Sequence, residues 1–111
     1  MATLFIEPGR LRTELSLRAV TAIADGLGGF DEEWNEVATV FGRIEPLAAD
    51  SRFGADQTLE TVTHRVTLRH REDVLSGMRF CRQGRVFAIV TVHDPDETGR
   101  YLVCRVRETG A

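Results

Sequence analysis

The chain has 111 residues, 42% hydrophobic and 28% charged, with a formal net charge of −3; that length sets one compact domain over residues 1–111 and excludes a second core. No apolar run reaches the roughly 18 to 20 residues that cross a bilayer, and residues 1–7 lack the basic start and apolar core of a signal peptide, so a soluble, intracellular chain without a membrane partner is expected. The overall acidity excludes the bulk basic signature of a nucleic-acid binder.

The charge is unevenly placed. Residues 1–60 hold 11 acids against 5 arginines, whereas residues 61–111 hold 6 acids against 9 arginines. Halves of opposite sign suit head-to-tail docking between copies. All 14 basic residues are arginine, whose planar fork suits interfaces better than a lysine point charge.

Gly and Pro punctuate the chain at short intervals, and the stretches between them mostly alternate apolar with polar residues, the pattern of an antiparallel β domain. Leu11, Thr13, Leu15 and Leu17 alternate with Arg12, Glu14, Ser16 and Arg18, which predicts a strand over 11–23, although 15–24 equally fits a short helix. Residues 25–29 (Asp-Gly-Leu-Gly-Gly) form a turn, and 34–44 a long strand that ends at Pro46. From 47 to 58 the chain is small and polar, a loop of about twelve residues, and loops that long in compact domains are usually functional or partner-bound. Residues 59–70 alternate again, with Val62, His64, Val66 and Leu68 on one face. A connector over 71–77 leads to a meander of strands at 78–82, 85–92 and 100–107, with turns at 83–84 and 93–99. The expected fold is all-β: a small antiparallel β-barrel or sandwich of about six strands with one long loop.

No catalytic template is complete. Gly-x-Ser-x-Gly, Gly-x-x-x-x-Gly-Lys and His-Glu-x-x-His are all missing, so hydrolase, phosphate-loop and zinc-protease readings lack their parts. His64 and His70 would stand about 20 Å apart along one strand and cannot share a metal. His93 with Asp94 or Asp96 offers a possible ion site, but Asp94-Pro95-Asp96 is explained more cheaply as a turn. Asp31, Glu32, Glu33 and Glu36 imitate paired catalytic carboxylates, yet a solvated strand end accounts for them. Cys81 and Cys104 lie in alternating runs and read as reduced core thiols. Nine arginines from Arg65 to Arg107 lack the exposed aromatics that readers of single strands use. Three roles stay open for them: a solvated face paired across strands, an interface with acids of a neighbour, or phosphate contact. No cofactor or metal is expected.

Five segments occur in an order and spacing that resemble the phage head–tail joining (head-closure or stopper) family. These are Trp34-x-x-Val37-Ala38-Thr39-Val40-Phe41-Gly42-Arg43-Ile44-Glu45-Pro46-Leu47, Thr63-His64-Arg65-Val66-Thr67-Leu68-Arg69, Asp73-Val74-x-x-Gly77-Met78-Arg79-Phe80, Gly84-Arg85-Val86-Phe87-x-Ile89 and Asp94-Pro95-Asp96-Glu97. The likeness spans about residues 10–108; only Arg12–Arg18 matches the family's usual basic first strand loosely. It implies a β-barrel subunit of a homo-oligomeric ring, hexamer or dodecamer, in the neck of a phage, prophage or gene transfer particle assembled in the bacterial cytoplasm. The implied partners are an adaptor or portal ring on the head side, a tail terminator or tail tube protein on the tail side, and double-stranded DNA in the channel. The loop after Glu45-Pro46-Leu47 is implied to face that channel and help retain DNA.

Within that loop Asp50 and Asp56 bracket Arg52, leaving a weakly acidic tip, and Phe53 and Leu47 are its only large apolar residues. Ordering its backbone has little compensation inside one subunit, so it is expected to be ordered by neighbours and to obstruct the channel without adhering to phosphates. Asp31, Glu32 and Glu33, with Arg65, Arg69 and Arg71, are the expected contacts between subunits or with partners. A nucleic-acid-binding barrel of the OB or SH3-like type, and an enzyme with an unrecognised site, are the competing classes.

Overall fold

A computed structural model describes residues 8–48, 52–53 and 60–109, with side chains for 9–48 and 62–109. A 3-10 turn, Pro8–Arg10, precedes eight strands: β1 Thr13–Ala24, β2 Phe30–Pro46, β3 Arg52–Phe53, β4 Glu60–Thr61, β5 His64–Arg69, β6 Arg79–Arg82, β7 Arg85–His93 and β8 Tyr101–Thr109. Six of them close into a barrel in the order β1-β2-β5-β8-β7-β6, and β3 pairs only with β4. Every pairing is antiparallel. Closure leaves the barrel wall without an open edge.

The alternation fills the interior. Leu15 and Leu17 of β1, Val66 and Leu68 of β5, Phe80 of β6, Phe87 and Ile89 of β7, and Leu102, Cys104 and Val106 of β8 form one buried cluster. Val74 and Met78 pack into it from the connector and its end. Each fully buried side chain of this size contributes about 1.5–3 kcal/mol, which is how so short a chain offsets its ordering entropy. Gln83 and Gly84, at φ 48° and 80°, make the two-residue β6–β7 turn in the primed geometry that matches strand twist.

Several expectations are corrected. The helix alternative over 15–24 falls, because β1 holds register with β2 from Thr13 to Ala24. β2 starts at Phe30, four residues before the expected 34, and Val37 is an extra residue that shifts the ladder between Leu17 and Arg18. The strand expected over 59–70 is interrupted: Val62 is buried, and Thr63 donates its amide to the Val106 carbonyl while its hydroxyl accepts from the Glu108 amide. The 47–58 loop is not wholly irregular, since Arg52–Phe53 pairs with Glu60–Thr61. Cys104 is buried, but Cys81 is half-buried and shares the outer face with its register partners Ser16 and Val86, so only one thiol belongs to the core.

Candidate functional site

β2 organises the molecule's surfaces, because its two ends carry different features. At its start, β1 and β2 run on past their other partners. β6 pairs with β1 only from Ser16 to Arg18, and β5 pairs with β2 only from Gly42 to Pro46. Residues 19–24 and 30–35 therefore form a two-stranded ribbon beyond the barrel. At the other end, Pro46 delivers the chain into the 47–58 segment, and the Leu47 amide donates to the Thr63 carbonyl at 2.9 Å.

The ribbon's turn is fixed locally. Asp25 Oδ1 accepts from the amides of Leu27 (2.7 Å) and Gly29 (3.1 Å), and Gly26 and Gly28 take positive φ. The register splits the acidic cluster between two faces: Asp31 and Glu33 stand opposite Ile23 and Thr21, whereas Glu32 and Glu36 stand opposite Ala22 and Arg18. All four are exposed, so they do not form the carboxylate pair that their proximity in sequence imitates. Phe30 is 71% exposed and Leu27 is 91% exposed, with Val20 and Ile23 also open to solvent. Trp34 is half-buried because the Arg79 guanidinium lies 3.6 Å from its ring centroid, a cation–π contact that pins the ribbon's root to β6.

On the other side of the root, where β2 runs on past its pairing with β5, lies an open cleft of about 380 Å³ lined by Leu11, Thr39, Phe41, Leu68, Arg69, His70 and Arg71. Phe41 is half exposed there. Arg71 chelates Asp73 through Nε and Nη2 at 2.9 and 2.8 Å, and this ion pair holds the Asp73 carboxyl below the usual range. Arg69 is exposed and has no acidic partner among the described residues.

The other arginines are largely committed. Arg65 and Arg43 both reach Glu45, at 3.2 and 3.4 Å. Arg85 and Glu108 pair through two hydrogen bonds, at 2.8 and 3.0 Å, which hold the Glu108 carboxyl down. Arg100 bonds the buried Asp96. The expectation of a charged face paired across strands thus describes Arg65 and Arg85 but not Arg69. Asp94 and Asp96 accept from the amides of Asp96, Thr98 and Gly99 and from the Thr98 hydroxyl, so both carboxylates build a turn. Among the described residues no group of three or more His, Cys, Asp or Glu could hold a metal. Asp50 and Asp56 lie outside the described residues, and Arg52 and Phe53 are placed by backbone only. No helix among the described residues is long and apolar enough to cross a membrane.

The sequence reading did not foresee the ribbon or the cleft at its root. The available signal was the set of apolar residues at Val20, Ile23, Leu27 and Phe30, outside any core pattern.

A search of curated proteins gave no match. Among solved structures, a chain from the virion of a native gene transfer agent particle matches with a TM-score of 0.68 and 25% identity, over 92% of this chain and 98% of that one. A solution structure of a protein from Shigella flexneri 2a matches with a TM-score of 0.63 and 22% identity, over 91% and 96%, respectively; it supports the fold. The profile of the phage head completion protein family matches residues 6–109. The chain therefore belongs to the phage head completion protein family and is a structural component of a phage or phage-like particle.

Proposed function

We propose that this subunit closes the head as a ring between the portal or adaptor assembly and the tail, and that the 47–58 segment faces the axial channel and helps retain DNA. The observation that carries this reading is the placement of that segment at the opposite end of β2 from the ribbon. One end of each barrel is then free to enter the axis while the other reaches toward neighbours. Family membership and the likeness to a gene transfer agent chain support a head–tail location. A duplex-binding barrel fits less well, because Arg65, Arg71, Arg85 and Arg100 are turned to carboxylates rather than lined up for phosphates; such a binder would lose affinity steeply with salt.

Deleting residues 49–56 tests the reading. Particles carrying the deletion are expected to leak packaged DNA before tail attachment, measured as nuclease-sensitive genome, while the isolated barrel keeps its Tm. Normal DNA retention would remove the channel role, and a large fall in Tm would show the segment to be part of the core.

A further inference from the structure

The geometry points to the tip of the β1–β2 ribbon as an arm that docks into the root cleft of the next copy of this chain, a contact that repeats head to tail. This inference rests on the ring reading above and names the surfaces by which the ring closes.

Three observations converge on a second copy as the occupant. The first is charge. Residues 19–42 contain Asp25, Asp31, Glu32, Glu33 and Glu36 and no arginine, while the cleft is lined by Arg69, which has no acidic partner among the described residues; its neighbour Arg71 is paired with Asp73. The second is apolar complementarity. Leu27 and Phe30, 91% and 71% exposed, are side chains that a free domain gains nothing by displaying, and the cleft offers the half-exposed ring of Phe41, Leu11 and Leu68 there being buried. A bulky apolar tip with acids behind it matches an exposed aromatic ring beside the cation of Arg69. The third is reach. Six residues of ribbon extend about 20 Å at the usual strand rise, and the molecule's shorter dimensions are 34 and 26 Å, so an arm of this length spans most of one neighbouring subunit.

Tip and cleft are different surfaces of one subunit, so the contact is heterologous. Such contacts generate rings when the rotation closes. Two hydrogen bonds to Asp25 brace the turn, and bracing of this kind lowers the entropy of docking.

The test is disulfide trapping in the full-length chain, on a Cys81→Ser background so that the half-buried native thiol does not react. Leu27→Cys at the tip and Thr39→Cys, an exposed position lining the cleft, are combined in one chain, oxidised over a concentration series and resolved without reductant. A ladder extending beyond the dimer is expected. A mixture of the two single variants should yield heterodimers only, and Arg69→Glu in the double variant should cut cross-linking about tenfold at low salt by placing like charges together. Cross-linking no greater than that of a Leu27→Cys/Leu75→Cys control overturns the proposal, as does a Leu27→Cys single variant that dimerises efficiently with itself, which would show a two-fold tip-to-tip contact. The native mass of the unmodified chain and the neck of assembled particles, imaged in parallel, separate the two claims. Rings without the Leu27–Thr39 cross-link leave the ring reading standing and remove the arm; a subunit that is single in the particle removes both.

Discussion

Replacing Gly42 by Ala tests how closely the barrel wall is wound. Gly42 is buried on β2, paired with Thr13 of β1 and Leu68 of β5. A Cβ at this position would lie 2.8 Å from the Thr67 carbonyl oxygen and 3.4 Å from Val66 Cγ1. The first neighbour is backbone, so relief requires β2 and β5 to part by several tenths of an ångström, straining the ladder that joins them. Overpacking of this kind costs about 1–3 kcal/mol. It opposes the roughly 0.5–1 kcal/mol that Ala ordinarily gains over Gly in a regular element. At the midpoints of these ranges the net loss is about 1 kcal/mol, and for a chain of this size Tm should fall by about 4–5 °C, at roughly 4 °C per kcal/mol. Thermal unfolding followed by circular dichroism measures it, with Gly9→Ala as the control, because a Cβ there meets only Arg12 Nη2 at an ordinary 3.5 Å. A Tm for Gly42→Ala equal to or above that of the parent would refute the reasoning and show that the strands stand farther apart at this point.

Thiol accessibility should separate the cysteines: burial pushes the Cys104 thiol up to about 12, so at pH 8 the native chain should show one reactive thiol, that of Cys81, and a second only in denaturant. Two fast-reacting thiols in the native chain would contradict the core assignment. Asp96→Ala should lower the denaturant midpoint by an equivalent of about 1–3 kcal/mol, because it strips the Thr98 amide and hydroxyl of their acceptor and Arg100 of its carboxylate; an unchanged midpoint would show that the 93–99 turn does not depend on it. Asp73 titrates below its ordinary value because Arg71 stabilises the carboxylate, so its small contribution to stability is present above the usual aspartate pKa of about 3.9 and is lost as pH falls below it. Arg71→Gln should flatten that acid limb, and an identical pH profile in the variant would refute the assignment.

The barrel was legible because local pattern and global placement agree along most of the chain. The alternation of Val66 and Leu68 with their polar neighbours, and the Gln83-Gly84 turn, each specify the structure with information held within a few residues. The break at Val62–Thr63 was not legible in this way. A run of alternating residues says strand, and nothing local says that the Thr63 hydroxyl will accept the Glu108 amide from the far end of the chain. Cys81 failed for a related reason. Its position in an alternating strand restricts it to one of two faces, but the choice follows from its register opposite Ser16 and Val86 on the outer face, and register is a tertiary property.

The ribbon and its cleft were hidden by the same distinction. The sequence marks β1 and β2 as strands, but whether a strand lies in a wall or stands free depends on how far its neighbours extend. β6 has four residues and β5 six, against twelve in β1 and 17 in β2. The ribbon is what remains when the short partners run out, and the cleft is the step left where β5 ends at Arg69 beside the continuing β2. In this arrangement the apolar residues at Val20, Leu27 and Phe30 cannot reach the core, since no wall curves behind them. A bare two-stranded ribbon is only marginally stable in water. This one is held at its turn by Asp25 and at its root by Arg79 over Trp34. Those two fastenings hold the apolar tip out from the barrel wall, and an exposed apolar tip of this kind is a surface suited to meeting another molecule.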